Sequence, residues 1–257
     1  MVLALVGLVC ALGLSRAKSA PGSRTAAQNS QTISVPFVGC ASDGQVGPRP
    51  APTGAPREVR IDPEAARELA YYSAGASGGV LGPRGWHCFG SYGSSGSSLF
   101  VAPAPITSAD VLSTTWGGLT GPAIQVSLSV GDTSGRFTVA AVIERIFPTH
   151  VAFAQSVIGE GFEPASDFPS GPYPKDRLTR RSDQVVEFQT PPNTQGLGVA
   201  HTRLQANGDP IAGVAILTGP TPDLVLAAVR LSRARSGLAP AIIQQLERDS
   251  AANANTP

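Results

Sequence analysis

A strict alternation of apolar and polar residues predicts a strand near the middle of the chain. Residues 123–130 place Ile124, Val126, Leu128 and Val130 in one set and the polar Gln125, Ser127 and Ser129 in the other. Successive side chains of a strand point to opposite faces, so this pattern predicts a strand with one buried face. Shorter runs predict further strands at 86–92, 98–102, 184–189, 198–205 and 211–217.

Turn residues join these strands into hairpins. Gly93-Ser94-Ser95-Gly96 predicts a four-residue loop between the strands 86–92 and 98–102. Asn207-Gly208 is a strong hairpin signal between 198–205 and 211–217. A turn at 218–223 leads to residues 224–231, which are apolar on both faces. This last run is a central strand or a buried helix, and we favour the strand.

Helix signals lie between and after the strands. Asp62-Pro63-Glu64 combines a capping carboxylate with proline at the first helical position, and predicts a helix to about Tyr72. Asp132-Thr133-Ser134 offers caps for a helix through Phe147, and Thr149 for a second one ending at Gly159 or Gly161. An apolar stripe predicts an amphipathic closing helix through Leu238, Ile242 and Leu246.

The order of these elements predicts an α+β fold, with an antiparallel sheet covered by helices in the manner of an αβα sandwich. Changes in composition along the chain predict where the domain and its flanking segments begin and end. We expect a signal peptide over residues 1–17, a disordered linker over 18–34, a single domain over 35–249 and a disordered tail over 250–257. Residues 48–56, rich in proline, glycine and alanine, predict an extended surface loop.

The amino terminus indicates export. Residues 2–14 are continuously apolar but span only about 20 Å as a helix, too short for a membrane span and suited to a signal peptide. No lysine or arginine precedes this block, whereas Arg16 and Lys18 follow it, which is atypical of signal peptides. We expect cleavage after Ala17, no integral membrane span afterwards, and a secreted or periplasmic protein.

Two cysteines follow this segment, and in an exported chain they predict a disulfide between Cys40 and Cys88. In a cytosolic protein two buried free thiols would be the better interpretation. No Cys-x-x-Cys is present, and the three histidines lie beyond helical reach of one another, so no local metal motif is indicated, although the fold could gather distant histidines into one site. No phosphate-binding loop and no Rossmann fingerprint lies between a predicted strand and a helix, so no cofactor is indicated.

Charge excludes one class of partner. Charged residues make up 14% of the chain, and nineteen basic residues balance eighteen acidic ones. This near-neutral balance does not indicate a nucleic-acid-binding protein. Twenty-nine glycines and twenty-three prolines favour many tight turns over long helices.

Two resemblances rest on short motifs. From about residue 80 to 247 the chain resembles the PsbP-like αβα sandwich proteins, through Gly82-Pro83-Arg84-Gly85-Trp86 and the final helix residues Ala241-Ile242-Ile243-Gln244-Gln245-Leu246. Residues 37–45 and 83–90, which contain Cys40 and Cys88, resemble a family of uncharacterised exported bacterial proteins. The first resemblance implies a partner-binding protein, and the second adds no chemistry.

Two serines fit hydrolase patterns. Ser77 lies in a Gly-x-Ser-x-Gly sequence, the pattern of a nucleophile elbow, but the predicted helix precedes it where a strand is required. Ser134 lies in Gly131-Asp132-Thr133-Ser134-Gly135, which a capped turn explains more simply. A serine-type hydrolase using Ser77 or Ser134 with one of the histidines is therefore the alternative, and we assign no catalytic residue.

The one basic cluster follows a proline-rich loop. Arg177, Arg180 and Arg181 lie just after Tyr173, a combination that indicates an anion or partner contact with an aromatic anchor. A solvated loop explains the same residues. Trp86 is expected to pack on the disulfide, with a ligand platform as the other interpretation.

The sequence favours a non-enzymatic binding or assembly role at the cell envelope or outside it. The expected partner is an envelope protein or a small ligand. A further interpretation is an inhibitor or scaffold that presents the loop 168–181.

Overall fold

The computed structural model describes residues 30–75 and 78–254. The strands in this part are β1 (Gln31–Val35), β2 (Phe37–Gly39), β3 (Ser42–Gly44), β4 (Arg57–Ile61), β5 (Leu69–Ser73), β6 (Gly79–Pro83), β7 (His87–Gly93), β8 (Gly96–Ala102), β9 (Ala123–Ser129), β10 (Arg177–Arg180), β11 (Val185–Thr190), β12 (Ile211–Thr218) and β13 (Asp223–Arg230). The helices are α1 (Pro63–Glu68), α2 (Ser108–Val111), α3 (Arg136–Ile146), α4 (Val151–Gly159), α5 (Leu197–Ala200) and α6 (Ala239–Ala254). None of them is long and apolar enough to cross a bilayer.

One large sheet dominates the fold. Its eight strands lie in the order β10-β11-β12-β13-β9-β8-β7-β3, and every neighbouring pair is antiparallel except β3 with β7. The predicted mixed α+β class is confirmed. A helix-covered sandwich is not confirmed, because helices are few and two smaller sheets, β1-β4 and β2-β5-β6, share the covering of the large one.

The large sheet buries apolar side chains on both faces. On the first face, called here the α6 face, β8, β9, β12 and β13 pack against α6 and the two small sheets. On the opposite α3 face, the same strands pack against α3 and α4. In β13, for example, Val225, Ala227 and Val229 belong to the first cluster and Leu224, Leu226 and Ala228 to the second. Burial on both faces explains why residues 224–231 lack polar alternation, and the predicted strand is confirmed.

The disulfide joins the amino-terminal segment to the large sheet. Cys40 lies just after β2 and is bonded to Cys88 in β7, 48 positions later, as predicted. Trp86 is half-buried in the apolar cluster that also holds both cysteines, and its backbone N–H donates to the Tyr72 hydroxyl (3.2 Å). The bond therefore fixes the small sheet β2-β5-β6 against the β7 side of the large sheet.

A buried arginine ties two long loops to the end of β13. The side chain of Arg230 is fully buried (0% exposed), and its guanidinium donates to the carbonyls of Leu119, Gly121 and Gln205. Burial lowers the pKa of this group, and the charge of Asp209 acts in the opposite direction. The Gly121 and Gln205 carbonyls receive a donor in this way, and the Leu119 carbonyl, which also accepts the Gln205 N–H, receives a second one.

Two predicted elements are wrong because tertiary pairing overrides local preference. The helix that Asp62 caps ends at Glu68, and residues 69–73 form β5, which pairs with both β2 and β6. Residues 198–205 are not a strand, since they contain α5 and then a segment bonded to Leu119. Asn207 instead bonds Asp209 and Thr120, and β12 pairs with β11.

Smaller differences concern boundaries and burial. Gly93 pairs with Gly96, so the loop of that hairpin has two residues rather than four. Gln125 is buried (4% exposed) because the α3 face of β9 is also covered there. Strand β1 starts at Gln31, inside the expected linker, and α6 continues to Ala254, inside the expected tail. The expected signal peptide lies outside the described residues.

Replacing both Cys40 and Cys88 by alanine should lower the free energy of unfolding by about 4 kcal/mol, because a closed loop of this length restricts the unfolded chain. Urea denaturation of the double variant, with the unreduced protein as reference, measures this loss. A loss below about 1 kcal/mol would show that the bond does not limit the unfolded chain in this way.

The substitution Arg230→Met should destabilise the protein by about 3 kcal/mol or more, since it removes three hydrogen bonds made by a fully buried charged group. Thermal and urea unfolding report the change. The exposed Arg235→Met is the control and should stay within about 0.5 kcal/mol of the parent protein. Equal stability of the two variants would contradict the role given to Arg230.

Candidate functional site

A groove of about 1090 Å³ lies on the α6 face, beside the β10 edge of the large sheet. Within the large sheet, helix α6 packs mainly on β12 and β13, and on this side it covers β11 only near Val185. The groove is closed at its other wall by the 3₁₀ turn Arg233–Leu238 and the start of α6. Its apolar lining includes Ala212, Val229, Leu231, Pro240 and Ile243. The shape is a concave, partly apolar cleft of a size suited to ligands.

The alternation of β10 decides which basic residues enter this groove. Arg177 and Arg181 line it together with Thr179. Residues at the intervening positions belong to the other face, where Leu178 packs in the α3 cluster and the Arg180 guanidinium donates to the Ile146 carbonyl (2.8 Å). The predicted basic cluster is therefore divided between the two faces of the sheet.

The groove holds more free positive charge than negative charge. Arg181 makes two hydrogen bonds to the Glu187 carboxylate, from Nε (2.8 Å) and Nη2 (3.0 Å). Arg177 and Arg233 are exposed and have no ion pair or side-chain hydrogen bond within the described part of the chain. Asp209 is the other carboxylate of the lining. Two guanidiniums thus remain available to a ligand.

Next to the Arg181–Glu187 pair, a second carboxyl group extends from α6. Burial, with the charge of the nearby Glu187, raises the pKa of Glu247 to about 7. Arg181 and Arg248 act in the opposite direction. Glu247 is therefore half protonated near neutral pH, and the charge beside the groove depends on pH.

Tyr173 lies away from the groove and is held inside the protein. Its hydroxyl is 3.3 Å from His201 Nε2, and the Arg145 guanidinium lies 4.2 Å from its ring centre. Arg145 also donates to the Gly171 carbonyl (3.1 Å). Burial, with the charge of Arg145, lowers the pKa of His201 to about 4, so its ring is neutral at physiological pH. These contacts fix the proline-rich loop to α3.

The remaining predicted site residues are dispersed. Trp86 lies in the apolar cluster near the disulfide, remote in the sheet from β10. Of the residues proposed for binding, the groove brings together only Arg177 and Arg181. Arg233 was missed, although Arg233 and Arg235 form a short basic pair directly after the last strand. The polar Gln189 was also missed, because only the register places it beside Arg177.

A second, shallower depression of about 580 Å³ lies on the α3 face of β7, β8 and β9. Its floor carries Ser91, Ser98 and Ser127 in one cross-strand row, with the Oγ atoms of the last two 2.9 Å apart. Gln125 donates to Ser127 Oγ (2.9 Å) and accepts from the Arg203 backbone N–H (2.6 Å). These hydroxyls bond mainly to one another.

Of the two serines proposed for catalysis, Ser134 lies in the described part of the chain. Ser134 is exposed before α3, and in residues 30–75 and 78–254 no histidine nitrogen is hydrogen-bonded to a serine hydroxyl. Ser77 lies outside the described residues. Over the same ranges no three His, Cys, Asp or Glu side chains are grouped closely enough to hold a metal ion.

Comparison with known proteins gives no family. A scan of protein-family models, a search of curated proteins and a search of solved structures each found no significant match to this chain.

The raised pKa of Glu247 has a measurable consequence. Between its unfolded value near 4.5 and its folded value of about 7, the folded protein holds a proton that the unfolded chain releases, so this group's contribution to stability falls as pH rises. Glu247→Gln should remove this dependence. Urea unfolding of both proteins from pH 5 to pH 8 should show the variant gaining stability relative to the parent as pH rises. A constant difference across that range would contradict the assignment.

Proposed function

We propose that this is an exported protein with a non-enzymatic binding or assembly role, and that it recognises an acidic ligand or partner in the groove beside β10. The observation that carries the proposal is that Arg177 and Arg233, on a concave and partly apolar surface, have no ion pair or side-chain hydrogen bond to any residue that the structure describes. Guanidiniums bind carboxylates and phosphates with two parallel hydrogen bonds, so an acidic group is the chemistry that this site fits.

Export is supported by the disulfide. Disulfides persist in oxidising compartments and are rare in the cytosol, and the apolar block over residues 2–14 has the length of a signal-peptide core. We propose a secreted or periplasmic location on these grounds. The resemblance to the PsbP-like sandwich proteins, most of which bind partners, agrees with the proposed role and stays an expectation from sequence.

The backbone of β10 is held in place at both ends of the strand. Arg180 is bonded to the end of α3, and Asp176 Oδ2 accepts the Leu197 N–H (2.7 Å) immediately before β10. A backbone that is already ordered loses little conformational freedom on binding, which favours affinity.

The proposal is tested with the double variant Arg177→Glu/Arg233→Glu. Crosslinking and capture from envelope fractions, followed by quantitative mass spectrometry, should show partners that bind the parent protein and are lost from the variant. Capture should also weaken as salt rises, because exposed charges are screened. The control Arg67→Glu/Arg235→Glu makes the same change in net charge at exposed positions outside the groove, and should retain the partners.

Two outcomes would contradict the proposal. If the groove variant captures the same partners as the parent protein, the groove is not the contact. If a fluorophosphonate probe labels a serine of the intact protein, the non-enzymatic role is wrong and the hydrolase alternative using Ser77 or Ser134 replaces it.

A further inference from the structure

Strand β10 is an open edge of the eight-stranded sheet. It pairs only with β11 among the strands of the described chain, and three of its four residues are exposed. Just beyond it, the Arg181 N–H donates to the Val185 carbonyl (2.9 Å). The N–H and C=O groups of successive residues point to opposite sides of an antiparallel strand. Those of residues 177 and 179 therefore also point to β11. The N–H and C=O groups of Leu178 and Arg180 therefore point outward, and no partner for them is found in the described part of the chain.

We propose that an extended acidic segment of a partner protein adds to this edge as an antiparallel strand, placing acidic side chains opposite Arg177 and Arg181. This inference rests on the proposed function and specifies the partner. Main-chain hydrogen bonds to an exposed sheet edge supply affinity in such complexes, and alternate side chains supply specificity. Here the alternate side chains of the added strand would lie over the groove.

The register defines the acidic motif. An added antiparallel strand would bond to Leu178 and Arg180, so Arg177, Thr179 and Arg181 would occupy the non-hydrogen-bonded positions, where facing side chains are closest. Acidic residues four positions apart would then face the two arginines, with a small or polar residue between them. Arg181 uses Nε and Nη2 for Glu187, and its Nη1 remains available.

The same charges disfavour a second copy of this chain as the occupant. Two β10 edges paired about Thr179 would place Arg177 of each copy opposite Arg181 of the other. Like charges directly opposite each other destabilise a strand pair. Basic side chains on an edge strand are a common protection against self-association, and the same arrangement admits an acidic strand.

The test uses a defined nine-residue peptide, capped at both ends, with glutamate at its third and seventh positions, threonine at the other odd positions and valine at the even ones. Calorimetry should show that it binds the full-length protein, and that a peptide with lysine in place of glutamate does not. Arg177→Glu should weaken binding about tenfold or more, since it replaces attraction by like-charge repulsion. The control Arg235→Glu should leave the affinity unchanged.

Hydrogen exchange distinguishes strand addition from simple occupancy of the groove. In the NMR spectrum of the parent protein, the amides of Leu178 and Arg180 should exchange fast and become protected on adding the peptide. Leu178→Pro removes one outward N–H at an edge position, where proline is tolerated, and should weaken binding, whereas Leu178→Val should not.

The outcomes separate this inference from the proposed function. If the peptide binds and depends on Arg177, but the two amides stay unprotected, the groove binds acidic ligands and strand addition is wrong. If the peptide does not bind while Arg177→Glu/Arg233→Glu still loses the captured partner, the inference also fails and the proposed function stands. Dimers of the free protein that disappear in Leu178→Pro would show a second copy on the edge and overturn the proposal.

Discussion

The need to cover both faces of one large sheet governs this molecule. Apolar side chains alternate to the two sides of β8, β9, β12 and β13, so each face must pack against another layer. Helices α3 and α4 serve one face, while α6 and the two small sheets divide the other. The covering of the α6 face becomes incomplete over β11 and β10, and the groove is the space that remains.

Long-range ties hold these layers in place. The disulfide joins the amino-terminal segment to β7, and Arg230 joins the end of β13 to loops from two distant parts of the chain. A cross-link acts mainly by restricting the unfolded chain, whereas the buried arginine acts by pairing carbonyls in the folded one. The disulfide therefore stabilises the fold by raising the free energy of the unfolded state, and Arg230 does so by lowering the free energy of the folded state.

The chemistry of the groove follows from the geometry of a single strand. Because β10 alternates, Arg177 and Arg181 face the groove while Arg180 is used to anchor the strand to α3. Its position at the edge leaves backbone groups and charged side chains exposed together. That combination of exposed backbone groups and guanidiniums is the basis of the acidic partner proposed above.

Local patterns in the sequence determined much of the secondary structure. Alternation in β9, the capping carboxylate Asp62 and the stripe of α6 each carry their signal within a few residues. The disulfide was predicted differently, from the count of cysteines after residue 17 together with the expected export. Contacts between distant segments decided the rest, because burial outweighs local preference there. They make residues 69–73 a strand, prevent a hairpin at Asn207-Gly208 and pair β12 with β11. The groove also depends on such contacts. Arg177 and Arg233 are more than fifty positions apart, and they line the same groove only because of the register of the sheet and the packing of α6 on it.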